Sequence, residues 1–182
     1  HDLGITGRGV LVGMLDTGFG WRMHEALSTR TVIAEHDFIS NDDTTAYQAG
    51  DDPGQDSHGT LTMSLVGGYK PGQLISPAFD VSFILGKTED GRSETQIEED
   101  NWAAAIEWME GYGVDVVSSS VGYDIFDDGT GYTWSHGDFN GRTSVTAKAA
   151  ARAARLGVVV CTAMGNEQNG DGVAGTMITP AD

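Results

Sequence analysis

Cysteine is almost absent: the one thiol among 182 residues, Cys161, excludes an internal disulfide, and no second cysteine or histidine stands near it at metal-ligand spacing. Within Val158-Val159-Val160-Cys161 it reads as a thiol buried in a strand. Positive charge is equally scarce. Ten Lys and Arg oppose 27 Asp and Glu, a formal charge of -17, so the summed field repels phosphate backbones and anionic headgroups. Nucleic acid and membrane surfaces are excluded as expected partners, and the excess carboxylates read first as a solvated surface. No apolar run approaches the ~20 residues of a bilayer crossing, and His1-Asp2-Leu3-Gly4 shows neither the basic nor the apolar region of a secretory signal.

What is present is ordinary for a folded chain. Hydrophobic residues make up 39%, which excludes a disordered chain, and 182 residues allow one domain or most of one. Glycine, at 26 residues, implies many tight turns. No fixed-period repeat or interdomain linker interrupts residues 1–182.

Short apolar runs bounded by glycines or turn residues predict strands at Val10 to Leu15, Thr31 to Phe38, Val81 to Leu85, Val114 to Ser120 and Val158 to Ala163. Helical spacing predicts a helix over Thr95 to Tyr112, a polar start and glycine stop a short one over Gly59 to Val66, and an Ala-rich run with Arg152 and Arg155 near its end a third over Thr143 to Leu156, each closed by a following glycine. Ser40 to Ser57 and Asp124 to Asn140 read as loops. Strands alternating with helices predict an α/β fold, a parallel sheet covered by helices on both faces.

In such a sheet ligands bind beyond the carboxyl ends of the strands. Three segments end there: Asp16 after the first strand, Ser118-Ser119-Ser120-Val121-Gly122 after a later one, and Gly165-Asn166 after the last. His58 joins them at a helix start, where exposed N–H groups and the dipole favour a neutral, basic imidazole. Taken singly, Asp16-Thr17-Gly18 is common turn punctuation, His58 a capping neighbour and Gly165-Asn166 a turn; the combination is what points to catalysis.

These segments carry a resemblance. Val12-Gly13-Met14-Leu15-Asp16-Thr17-Gly18 and Asp56-Ser57-His58-Gly59-Thr60 resemble the aspartate and histidine motifs of the subtilisin-like serine proteases. Val114 to Tyr123 resembles their substrate-binding strand, Ala163-Met164-Gly165-Asn166-Glu167 their oxyanion-hole segment, and Ile106-Glu107-Trp108 another recurrent stretch. Lys87 to Asp90 and Ser93 to Trp102 are more similar to the extracellular bacterial branch. The resemblance implies a three-layer α/β/α peptidase domain and a secreted serine endopeptidase acting on protein or peptide substrates. By it, His58 is the general base, Asp16 its orienting carboxylate and Asn166 the oxyanion donor. Ser120, Val121, Gly122, Ala163, Met164 and Gly165 flank the pocket for the residue before the cut, and Gly91-Arg92-Ser93 offers backbone to an extended substrate. No cofactor is required. Calcium is compatible, with Asn41, Asp42, Asp43, Asp51 and Asp52, or Asp124, Asp127 and Asp128, as loop acids, though none follows the EF-hand order, and no metal ligands are assigned.

The family's nucleophile is the departure. It sits in a Gly-Thr-Ser segment well downstream, whereas no serine follows Ser144 here, and the late pair Gly175-Thr176 precedes Met177. The expectation is a partial peptidase domain, inactive alone, whose open apolar faces associate with the remaining C-terminal part or with a second copy. Leu61, where many relatives carry a second histidine, leaves His58 the sole base candidate. His24, His36 and His136 read as surface or packing residues. The alternatives are a pseudoprotease or binding scaffold that keeps the cleft, and a Rossmann-type nucleotide domain, which Gly7, Gly9 and Gly13 disfavour because they do not follow a strand into a helix. His58 and Asn166 also argue against the related glutamate-based carboxyl peptidases.

Overall fold

The run Leu11–Asp16 is β1, and its apolar residues on both faces make it a central strand. In the computed structural model, which describes residues 3–166 and 177–182, it pairs in parallel with Ser82–Lys87 (β5) on one side and Val116–Ser119 (β6) on the other. Thr31–Asp37 (β2) pairs with β5, and Val159–Thr162 (β7) with β6, giving a five-stranded parallel sheet of order β2-β5-β1-β6-β7. A two-residue-per-strand hairpin, Tyr69–Lys70 (β3) and Leu74–Ile75 (β4), stands apart from it; its strands are too short to leave a periodic signal.

Three helices cover the sheet. Ser57–Gly67 (α1) packs on one face, and Gln96–Gly111 (α2) and Val145–Arg155 (α3) pack against each other on the opposite one. α2 begins with a capping box, in which Thr95 N–H donates to Glu98 Oε2 and the Thr95 side chain answers the Glu98 backbone. Ser144 caps α3 by accepting from Ala147 N–H. Alternation along β1 divides two cores. Leu15 joins Ile84, Val117, Trp102, Ala105, Ile106 and Met109 under α2, while Val12 and Met14 join Phe83, Leu85 and Met63 under α1. Gly13 lets α2 approach: a Cβ there would lie 2.5 Å from Met109 Sδ.

Strand β7 corrects one expectation. Cys161 is exposed, as is Val159 at 57%, because these two residues point to the α1 face, and α1 reaches only the β1 side of it. Val160, on the other face, packs into the α2 core. The apolar composition of β7 is therefore matched by helices on one face only among the described residues. Leu61 and Leu65 of α1 are also open to solvent.

Candidate active site

Because all five strands of the main sheet run parallel, Asp16, Ser120 and Ala163, which end or follow β1, β6 and β7, lie at one sheet edge. Asp16 is fully buried on the α1 face. Its Oδ1 lies 2.7 Å from His58 Nδ1 and also accepts the Thr17 N–H at 2.8 Å; its Oδ2 accepts the Thr62 hydroxyl at 3.0 Å. His58 and Thr62 are one turn apart on α1, so a single helix face presents both groups to one carboxylate. Both oxygens of this buried carboxyl thus have hydrogen-bond partners.

The first turn of α1 comes so near β1 that residue 59 must lack a side chain. A Cβ on Gly59 would overlap the Gly18 carbonyl oxygen and sit 2.9 Å from the Asp16 Cβ. That close approach sets the short imidazole–carboxylate contact. With Nδ1–H donated to Asp16, the remaining lone pair is on Nε2, which has no partner among the described residues, and the side chain is half open at 53%. The pair can take a proton from a hydroxyl brought to Nε2 and hold the resulting imidazolium against a fixed carboxylate.

Beside this pair is a cavity of about 300 Å³. Ser120, Val121 and Gly122 form one wall, Ala163, Gly165 and Asn166 another, and Thr17 borders the dyad. Met164 is not part of the lining: it is 55% exposed, and its carbonyl accepts the Ile178 N–H at 3.2 Å. Residues 178–179 back Gly122, with the Tyr123 and Thr179 backbones exchanging hydrogen bonds of 2.8 and 3.1 Å. Glu167 and the Gly175-Thr176 pair lie outside the described residues.

Of the third wall only Gly91 was legible as part of a site, through the Gly91-Arg92-Ser93 segment. Glu89, Asp90, Gly91, Glu94 and Glu98 border the same cavity. Glu89 is buried, with Thr88 and Tyr123 hydroxyls donating to its Oε1 at 2.5 and 2.7 Å, and burial pushes its carboxyl up to about 8. Glu94 is raised to about 7, first by burial and then by Glu98, Asp124 and Asp127. Only the placement of the loop after β5 gathers these acids; in sequence they pass for a helix start and a solvated loop.

Other residues singled out fall elsewhere. His36 packs edge-on against Phe38 and contacts Asp43 at 3.0 Å, and His136 bonds locally to Thr133. Asp42 and Asp51 are engaged with Gln48 and Lys87. Among the described residues, no three His, Cys, Asp or Glu come together as a metal site.

A model of the subtilase family matches residues 7–182. No curated protein matches the chain significantly. Among solved structures, fervidolysin from Fervidobacterium pennivorans, a keratinolytic enzyme related to subtilisin, aligns with a TM-score of 0.63 and 21% identity over 89% of this chain and 22% of its own. The CspB protease of Clostridium perfringens gives 0.65 at 19% identity, covering 93% and 39%. A cold-adapted subtilisin-like serine proteinase gives 0.63 at 20%, covering 91% and 50%. The chain thus spans half or less of the length of these three structures, and at such identities the likeness is one of fold. With the family match running through nearly every residue, and the fold shared with subtilisin-like proteases, the chain belongs to the subtilase family.

Proposed function

We propose that these residues form the base-bearing part of a serine endopeptidase that cleaves proteins or peptides. His58 removes the proton from the nucleophilic hydroxyl and returns it to the leaving amine; Asp16 fixes the ring and stabilises the imidazolium; the Asn166 amide donates to the oxyanion of the tetrahedral intermediate. Ser120, Val121 and Gly122 on one wall and Ala163 and Gly165 on the other hold the substrate. In this reading the nucleophile is the serine of the family's Gly-Thr-Ser segment, a tripeptide that does not occur among these 182 residues. The reading needs no cofactor, leaves calcium as a structural accessory, and fits a secreted enzyme. Among the described residues no helix is long and apolar enough to cross a membrane.

The carrying observation is the 2.7 Å contact between the half-open His58 ring and the buried Asp16 carboxylate. Full-length protein containing this chain is treated with a serine-directed fluorophosphonate beside its His58→Ala variant. Labelling of the parent at a serine, slowed by a factor on the order of 10³ or more without His58, is expected. Labelling that persists undiminished in the variant overturns the assignment of the base, and a parent that neither labels nor cleaves any peptide supports the scaffold reading.

A further inference from the structure

Resting on the protease reading, the geometry points to a cleft that selects substrates carrying a lysine or arginine side chain on the acyl side of the cut, received between Glu89 and Glu94. Four carboxyl-bearing residues line the cavity, and two of them are already committed. Glu98 accepts the Thr95 and Asp90 N–H groups, and Asp90 is paired with Arg92 at 2.6 Å. Arg92 also donates to the Gly50 carbonyl, so its charge is spent outside the cavity. Glu89 and Glu94 are left with no cation.

Glu89 supplies the observation that separates this cleft from an ordinary acidic surface. Its residue is only 7% exposed, yet both hydroxyl donors reach the same oxygen, Oε1; Oε2 receives no donor among the described residues, and the carboxyl forms part of the cavity wall. The Glu94 side chain likewise has no hydrogen-bond or ion-pair partner among the described residues. Burial favours the neutral form of this carboxyl while the cavity is empty, and a positively charged donor brought to its unfilled oxygen offsets the cost of ionising it. The acids are not clustered tightly enough to hold a metal ion, whereas a cavity of about 300 Å³, room for roughly ten waters, admits a long side chain with an ammonium or guanidinium tip. Gly91, also on the wall, has its N–H committed to Gln55 Oε1 at 3.0 Å, but its carbonyl receives no donor among the described residues, so a substrate N–H bonded there would bring neighbouring side chains beside the same acids. The high carboxyl values of Glu89 and Glu94, about 8 and about 7, fit a place where burial and like charges await an opposite one.

The test uses the full-length protein and peptides identical except for one residue at successive positions before the cut: lysine, its neutral near-isostere norleucine, or glutamate. At one position, kcat/KM for lysine should exceed that for norleucine at least tenfold, chiefly through KM. Glu94→Gln should cut that ratio to within threefold of one, and Glu94→Lys should invert it in favour of glutamate. Glu89→Gln should act in the same direction, while the less buried Glu94 keeps the test independent of folding at position 89. Cleavage with no lysine preference, or a preference that survives both Glu94 variants, overturns the inference while leaving the protease reading intact. Failure to cleave any peptide removes both.

Discussion

Strand β5 ends between two acidic clusters that solve burial differently. Lys87, its last residue, is fully buried with its ammonium 2.8 Å from both Asp37 and Asp51. Two residues on, Glu89 is almost as deeply buried, among Glu94 and Glu98, with hydroxyls but no cation. The first cluster is closed: burial pulls the lysine down, but the two aspartates more than reverse this and hold it charged. The second is open, and burial there favours the neutral acid. One cluster braces the fold; the other faces a cavity.

Removing the cation from the closed cluster should have the largest effect on stability. Lys87→Met strands two aspartates and should cost about 3–5 kcal/mol in urea unfolding; a loss below 1 kcal/mol would mean that the two clusters are less different than their geometry. Next comes pH. The carboxyl of Glu89 has a folded value, about 8, above its unfolded value near 4.5, so the stability it contributes is present in full below the lower value and is lost as pH rises through the upper one. Glu89→Gln should therefore resemble the parent at pH 4, yet be more stable by a few kcal/mol at pH 9; parallel stability–pH curves would refute an open cluster. The smallest effect is expected from Tyr123→Phe, which removes one of the two donors to Glu89 and should cost about 1–2 kcal/mol by thermal unfolding at pH 6.

The closed cluster was invisible in sequence, since Asp37, Asp51 and Lys87 are 14 and 36 residues apart and read as a residue near a strand end, a loop acid and the start of the segment that follows the expected strand Val81 to Leu85. Residues whose chemistry is set by local pattern fared differently. Apolar runs marked β1, β2, β5, β6 and β7 to within one or two residues at most ends, and α2 was announced by its acidic first turn and helical spacing. The hairpin β3–β4 was not, because two residues per strand leave no period to read. Cys161 misled because an apolar run reports a tendency to be buried, not whether a partner covers that face.

Within the site, Asp16 and His58 were legible from motif and position, and the structure joins them. Thr62, the second oxygen's donor, was readable only as a neighbour four residues along the same helix. Met164 stood in the expected segment but is exposed and does not line the cavity.

The sequence by itself determined the strands and helices, their alternation and the sheet edge at which the carboxylate, imidazole and amide emerge, because periodicity, glycine stops and strand ends are local properties. Tertiary structure alone decided which acids acquired a cation and which remained facing a cavity. Charge pairing and desolvation depend on separations through space, and the loop after β5 brings Glu89 and Glu94 to the wall that Ser120 and Asn166 also line.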